Sequence, residues 1–132
     1  MSKKRTITLT GRPPVTISED TWPLVADARG HDYDGEYDFR SNRDSFWFVG
    51  VRKHQDGRAI VYATYSYSSN WQNERDVSAK RGVLLDADQD VCEAIYRVCN
   101  DIADAEHHGT DAERWGTLMH ECVADMPAEV LE

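Results

Sequence analysis

The sequence predicts an α+β fold, in which a small antiparallel sheet with a central β-hairpin is covered by two C-terminal amphipathic helices. The first observation is the stretch at residues 45–68, where two runs rich in aromatic and β-branched residues flank Asp56-Gly57, a pair that suits a tight hairpin turn. The second is a pair of apolar stripes at helical spacing in the last third of the chain. At 132 residues the chain is predicted to form one domain, with residues 1–5 as a disordered basic tail.

The segments around the hairpin are predicted from turn and cap residues. Residues 6–10 and 15–17 are expected to be strands, separated by a Gly- and Pro-containing turn. Ser18 is expected to cap a short helix over residues 22–28 that ends at Gly30. Residues 31–42 and 69–82 are predicted loops, and residues 83–85 either a short strand or the start of a helix.

The last third is predicted to be two helices joined by a short turn. Asp86, Asp88 or Asp90 is expected to cap the first helix, and the second is expected to begin at Thr110 or Asp111. The apolar stripe of the first helix is Val91, Ile95, Val98 and Ile102. That of the second is Trp115, Leu118, Met119, Cys122, Val123 and Met126.

The negative charge of the chain is concentrated at its C-terminal end. The formal net charge is −9, and residues 86–132 hold 13 Asp and Glu against only Arg97 and Arg114. If the helices bury their apolar stripes, their outer faces form one carboxylate surface, which repels nucleic acid and attracts basic protein surfaces. The alternative is a solvated surface that serves solubility alone.

A second acidic feature is the segment at residues 31–38, which has a carboxylate at every second position. Extended residues two apart are separated by about 6.6 Å, comparable to successive phosphates of a nucleic-acid strand. We therefore expect a DNA-mimicking surface that binds a basic nucleic-acid-binding protein. Its candidate residues are Asp32, Asp34, Glu36, Asp38, Glu93, Asp101, Asp104, Glu113, Glu121 and Asp125.

No metal, cofactor or catalytic residue is predicted. A calcium loop that begins at Asp32 would need glycine at its sixth position and glutamate at its twelfth, where Tyr37 and Arg43 stand. The cysteines and histidines lack the close ligand pairs of structural zinc, so the cysteines are interpreted as core residues. A nucleophile such as Cys122 would need a base that the sequence does not specify. We therefore expect a protein that is not an enzyme.

An alternative function is a nucleic-acid-binding module built on the hairpin, in which aromatic side chains stack single-stranded bases beside basic residues. The other interpretation is that the aromatics are core and that the basic segment neutralises the acidic helices. The aromatic candidates are Phe46, Phe48, Tyr65 and Tyr67. The basic candidates are Arg40, Arg43, Arg52, Lys53, Arg58, Arg75, Lys80 and Arg81.

Three segments resemble small accessory proteins encoded on broad-host-range bacterial plasmids and related mobile elements. They are residues 6–28 (TITLTGRPPVTISEDTWPLVADA), 56–63 (DGRAIVYA) and 124–131 (ADMPAEVL), about a third of the chain. The resemblance implies a context in which small acidic proteins block host nucleases, and hence an inhibitor of restriction or CRISPR machinery. It implies no catalytic residues.

The location is predicted from absent signals. Three cysteines without paired spacing favour reduced thiols, the basic start is not followed by an apolar run, and no segment has the roughly 20 apolar residues of a spanning helix. We expect a cytoplasmic protein without a membrane partner. A homodimer is left open.

Overall fold

The computed structural model describes residues 3–34, 43–69, 76–104 and 112–128. The strands β1 and β2 form a two-stranded antiparallel sheet, and β3 to β6 form a four-stranded antiparallel sheet in sequence order, which confirms the α+β prediction. The elements are β1 (Lys4–Ile7), β2 (Val15–Ser18), β3 (Leu24–Asp34), β4 (Arg43–Lys53), β5 (Ala59–Ser69), β6 (Val77–Leu85), α1 (Val91–Asp104) and α2 (Ala112–Asp125).

The predicted central hairpin is confirmed as β4 and β5. Its register runs from the pair Arg43↔Ser69 to the pair Lys53↔Ala59. The turn contains Gly57 at φ 98°, a backbone conformation that only glycine adopts without strain. Every residue of the two strands therefore has a fixed face, because side chains alternate along a strand.

One face of the four-stranded sheet packs on α1 and α2, as the helical stripes predict. Both stripes are buried: Ile95, Cys99, Ile102 and Cys122 are fully enclosed, and Trp115 is 1% exposed. The sheet contributes an alternating set from its inner strands to the same core. That set is Trp47, Val49, Val51, Val61, Ala63 and Tyr65.

The predicted cap of α1 is Asp90. Its Oδ1 accepts hydrogen bonds from the backbone N–H groups of Cys92 at 2.9 Å and Glu93 at 3.2 Å, so two of the donors that an N-terminus leaves unpaired are satisfied. The proposed start of α2 at Thr110 or Asp111 and the turn before it lie outside the described residues.

Among the described residues, the opposite face of the sheet is covered only over the half nearest the β4–β5 turn. There the β1–β2 sheet and the residues after β1 bury Ile7, Leu9 and Ile17 against Ile60 and Tyr62. The backbone N–H of Thr10 donates to the carbonyl of Gly82 at 2.9 Å, and the N–H of Gly82 donates to the Thr10 hydroxyl at 3.1 Å. These contacts fasten the β1–β2 layer to β6 and leave the other half of this face open.

The helix predicted at residues 22–28 is wrong, because Leu24–Asp34 is β3. Ala26 and Ala28 point at the helices and are at most 6% exposed, whereas Asp27 and Arg29 point to the other side. Strand pairing with β4 extends to Asp34, and this tertiary contact outweighs a weak helical preference.

Three further boundaries differ from the prediction. Lys4 and Arg5 begin β1 and are not part of a tail. The predicted loops are strand at residues 31–34 and 77–82, which continue β3 and β6. For residues 83–85 the strand alternative is correct. The remaining predicted loop residues, 35–42 and 70–75, lie outside the described part.

Candidate functional site

The outer sides of α1 and α2 form the acidic helix face, which we define by Glu93, Asp101, Asp104, Glu113 and Glu121. All five residues are exposed. The two helices lie side by side, and the ring of Tyr96 in α1 meets the ring of His120 in α2 at 5.9 Å between centroids. The burial of both apolar stripes therefore places these carboxylates on one side of the molecule.

The acidic helix face is not neutralised by the basic strands. Among the described residues, Glu93, Asp101, Asp104 and Glu121 form no ion pair. Even the i, i+4 neighbours Glu93 and Arg97 do not approach within ion-pair distance. The carboxylates consequently present their charge to solvent, where a cationic partner could reach them.

Two further acidic candidates, Asp32 and Asp125, are engaged in contacts with the rest of the described chain. Asp32 accepts two hydrogen bonds from Nη2 of Arg114, at 2.9 and 3.0 Å, so its charge is paired. Oδ2 of Asp125 accepts the backbone N–H of Asp27 at 3.0 Å and thereby ties the end of α2 to β3. The side chain of Asp34, and the whole of Glu36 and Asp38, lie outside the described residues.

A second surface, the open sheet face, lies on the side of the sheet away from the helices. Strand register defines it as two rows of side chains that each cross all four strands. The first row is Arg29, Phe48, Thr64 and Lys80. The second row is His31, Phe46, Ser66 and Ser78.

Aromatic rings and cations are in contact on the open sheet face. The imidazole of His31 stacks on the ring of Phe46, with centroids 4.1 Å apart and planes 5° from parallel, and it also contacts the carboxylate of Asp44. The guanidinium of Arg29 lies 5.2 Å from the centroid of Phe48. Phe46 is 46% exposed, so its ring is accessible from solvent on this half of the sheet.

The basic aromatic hairpin predicted from the sequence is only partly assembled. Tyr65 is buried on the helix side of the sheet, and the Arg52 side chain is buried under the β1–β2 layer. Arg58 lies at the hairpin turn, 5.1 Å from the ring of Trp22, and Lys53 is at the same end. Arg40, Arg75 and the side chain of Arg43 lie outside the described residues.

Sequence reasoning missed Arg29 and His31 as surface residues because their segment was predicted as helix and loop. A usable signal was present: Ala26, Ala28 and Gly30 alternate with charged or polar residues. Period-two alternation with small residues on one side is typical of a strand that lies close under a helix. Gly30 lies at such a close contact with α2, because a Cβ there would stand 3.2 Å from Nη1 of Arg114.

Cys99 and Cys122 are core residues, as predicted, whereas Cys92 is only partly buried and lies outside the core cluster. Burial raises the pKa of Cys99 to about 12, and burial together with the nearby Asp27 carboxylate raises the pKa of Cys122 to about 12. Both thiols therefore stay protonated at neutral pH, which makes them poor nucleophiles and poor metal ligands. In the described part of the chain, no group of three or more His, Cys, Asp and Glu could hold a metal ion; His107 and His108 lie outside it.

Alkylation tests this placement of the cysteines. With both pKa values near 12, only on the order of 10⁻⁵ of each thiol is ionised at pH 7. In native protein treated with iodoacetamide we expect Cys99 and Cys122 to stay unmodified, and after denaturation in guanidinium chloride we expect all three cysteines to react. Peptide mass spectrometry measures both states, and rapid labelling of either buried thiol in the native chain would contradict the structure.

Comparison with protein-family models, with curated proteins and with solved structures gave no match. The resemblance to plasmid accessory proteins therefore stays a prediction. The described helices, at 14 residues each, are too short to cross a bilayer.

Proposed function

We propose that this chain is a non-enzymatic binding protein whose acidic helix face occupies the basic nucleic-acid-binding groove of a protein partner and thereby inhibits that partner. The observation that carries the proposal is a set of exposed carboxylates on two adjacent helices, Glu93, Asp101, Asp104 and Glu121, which form no ion pair with any described residue. A basic groove attracts a dense row of anions whether they are phosphates or carboxylates. Inhibition follows from competition and needs no chemical step.

The helices suit this role because their carboxylates are closely spaced and firmly held. Residues three or four apart on a helix have Cβ atoms about 5–6 Å apart, so Asp101 and Asp104 form a compact pair of anions. The stripe beneath them is anchored by Ile102, which is fully buried. A partner therefore meets a preformed surface, and little conformational entropy is lost on binding.

Two features of the sequence support a particular class of partner and a particular cellular compartment for this function. The resemblance to plasmid accessory proteins favours a restriction or CRISPR complex as the partner. The odd number of cysteines, three without paired spacing, favours a reducing compartment such as the cytoplasm. The partner class in this proposal is a host defence complex with a basic nucleic-acid groove.

Charge reversal tests the proposal. The immobilised chain is incubated with nuclease-treated bacterial lysate, and proteins that duplex DNA displaces are identified by mass spectrometry. For a partner so identified, we expect the double variant Asp101→Lys and Glu121→Lys to bind roughly 100-fold more weakly, because each reversal juxtaposes like charges. Affinity measured by titration calorimetry is also expected to fall steeply as salt is added.

A charge-matched control separates a binding surface from net charge alone. The double variant Asp20→Lys and Asp88→Lys has the same formal charge, and both positions are exposed and are not among the residues that define the acidic helix face. We expect this control to bind like the unaltered chain, and circular dichroism verifies that both variants are folded. Equal loss in the two variants, or a partner that DNA does not displace, contradicts the proposal.

A further inference from the structure

We propose that the open sheet face is a second binding site, whose ligand is single-stranded nucleic acid. An unpaired base stacks on Phe46 while a neighbouring phosphate contacts Arg29 and the arginines beside it. The site lies on the side of the sheet opposite the acidic helix face, so it goes beyond the proposed function and does not depend on it. The two functions that looked like alternatives in the sequence occupy different surfaces of one molecule.

The stacking platform is the pair of His31 and Phe46. Their parallel arrangement, 4.1 Å between centroids, is the geometry in which a nucleobase stacks on an aromatic ring. Beside the pair is an open depression of about 340 Å³, lined by Arg29, His31, Phe46 and Phe48 together with Gly30 and Trp47. A flat, mostly apolar surface of this kind binds an unpaired base and excludes a base inside a duplex, whose faces are already stacked.

A phosphate site adjoins the platform. A second depression of about 320 Å³ is lined by Arg5, Arg29 and Arg52, with Tyr62 among its other walls. Arg52 is held in place because its Nε donates to the Tyr62 hydroxyl and its Nη1 to the carbonyl of Trp22, each at 3.0 Å. The exposed guanidinium groups of Arg5 and Arg29 offer the charge and the hydrogen-bond donors that a phosphate needs, and the buried Arg52 adds positive charge at the wall of the same depression.

The carboxylates near this site lie beneath the cations. Arg29 pairs with Asp27 at 2.7 Å, and the two side chains are 69% and 27% exposed. Arg5 pairs with Glu19 at 2.8 Å, with side chains 47% and 24% exposed. Oε1 of Glu19 also lies 3.7 Å from Nη2 of Arg52. Two carboxylates are therefore paired with three arginines. The outermost charge here is therefore positive, although the whole chain is acidic.

The two depressions adjoin each other, since Arg29 and Phe48 line both of them. Across the sheet from Arg29 the first row ends at Lys80, which is exposed and about 14 Å away at the usual strand spacing. Exposed hydroxyls of Ser66 and Ser78 lie between the platform and that edge. A strand that crosses the sheet thus meets stacking rings, cations and hydrogen-bonding hydroxyls in succession.

The experiment is fluorescence anisotropy at low salt with labelled oligothymidylate and oligouridylate of about ten nucleotides. We expect at least one of the two probes to bind, and Phe46→Ala to weaken it about 5- to 150-fold, the range for loss of one base–aromatic stack. Phe46→Trp is expected to keep the affinity, since it keeps the ring. Arg29→Ala is expected to weaken binding and to lower the slope of log affinity against log salt by about 0.7, the value for one lost phosphate contact.

The matched control is Lys53→Ala, which removes the same charge about 23 Å from Phe46 along β4 and is expected to leave affinity and salt slope unchanged. Failure of both probes to bind overturns the proposal. So does binding that is insensitive to both Phe46→Ala and Arg29→Ala. In the Asp101→Lys and Glu121→Lys variant, Phe46→Ala is still expected to weaken oligonucleotide binding. The absence of oligonucleotide binding can therefore be distinguished from the absence of protein binding at the acidic helix face.

Discussion

Replacing Trp115 by alanine is expected to lower the free energy of unfolding by about 3–5 kcal/mol, the range for truncating a fully buried tryptophan. Trp115 is 1% exposed and joins α2 to the core above β3 and β4. The loss is a large share of the 5–15 kcal/mol that holds a typical domain together. Urea denaturation followed by circular dichroism measures it, and the helix layer that carries the acidic face is expected to lose its fixed position first.

The adjacent residue, Gly116, supplies a control for which the free energy of unfolding is expected to rise instead of fall. Gly116 lies inside α2, and a Cβ built there meets no atom within 4 Å. Gly116→Ala is therefore expected to stabilise the protein by about 0.5–1 kcal/mol, because alanine removes backbone entropy from the unfolded chain. The described packing of α2 is contradicted if Trp115→Ala lowers the free energy of unfolding by less than about 1 kcal/mol. It is also contradicted if Trp115→Ala and Gly116→Ala change that free energy in the same direction.

Replacing Gly82 by alanine is the second change for which we expect a large effect, a loss of about 3.5–5 kcal/mol in the free energy of unfolding. A Cβ at this position would stand 2.3 Å from the backbone carbonyl oxygen of Thr8. The segment after β1 must then move away, which breaks both hydrogen bonds between Thr10 and Gly82 and exposes Leu9, now 2% exposed. Each hydrogen bond contributes about 1 kcal/mol and the leucine about 1.5–3 kcal/mol.

Gly50 is the matched control for this prediction. It lies in the same cross-strand row, since Tyr62 pairs with Gly50 on one side and with Gly82 on the other. A Cβ there would meet the tip of the Phe48 ring at 2.7 Å, and a ring can turn aside where a backbone cannot. In urea denaturation, we expect Gly50→Ala to lower the free energy of unfolding by less than Gly82→Ala does. Hydrogen exchange over residues 4–18 is expected to rise only for Gly82→Ala, and equal effects would contradict the assigned contacts of β6.

The two changes act on different layers, and each layer serves one proposed surface. Trp115 holds the helices that carry the acidic helix face, whereas Gly82 holds the β1–β2 layer that positions Arg5 beside the phosphate depression. We infer that this protein can present two unlike surfaces on opposite sides of its four-stranded sheet. The acidic helix face is presented to a protein, and the basic aromatic surface to a nucleic-acid strand.

Local patterns in the sequence were sufficient for part of this structure. The Asp56-Gly57 turn between two β-rich runs predicts the hairpin, because positive φ is a local requirement. The stripes of α1 and α2 predict both helices and their buried sides, since the stripe period is that of the helix itself. From that burial the exposure of Asp101, Asp104 and Glu121 follows directly.

Other features depended on contacts between distant residues. β3 is a strand because β4 supplies its hydrogen bonds and the helices need small residues at Ala26 and Ala28. The pairing of Asp32 with Arg114 across 82 positions removed a predicted member of the acidic surface. The ion pair has no local signal in the sequence, and the alternation of small residues at Ala26, Ala28 and Gly30 indicates a strand only once the helices that pack on it are known.

Charge distribution and apolar period by themselves determined that this protein has a central hairpin, two closing helices and an acidic C-terminal side. Only the tertiary structure decided which aromatic side chains reach solvent. Tyr65 and Phe46 look alike in the sequence, yet one is 2% exposed and the other 46% exposed. The physical reason is that the helices cover one whole face of the sheet, whereas the β1–β2 layer covers only half of the other.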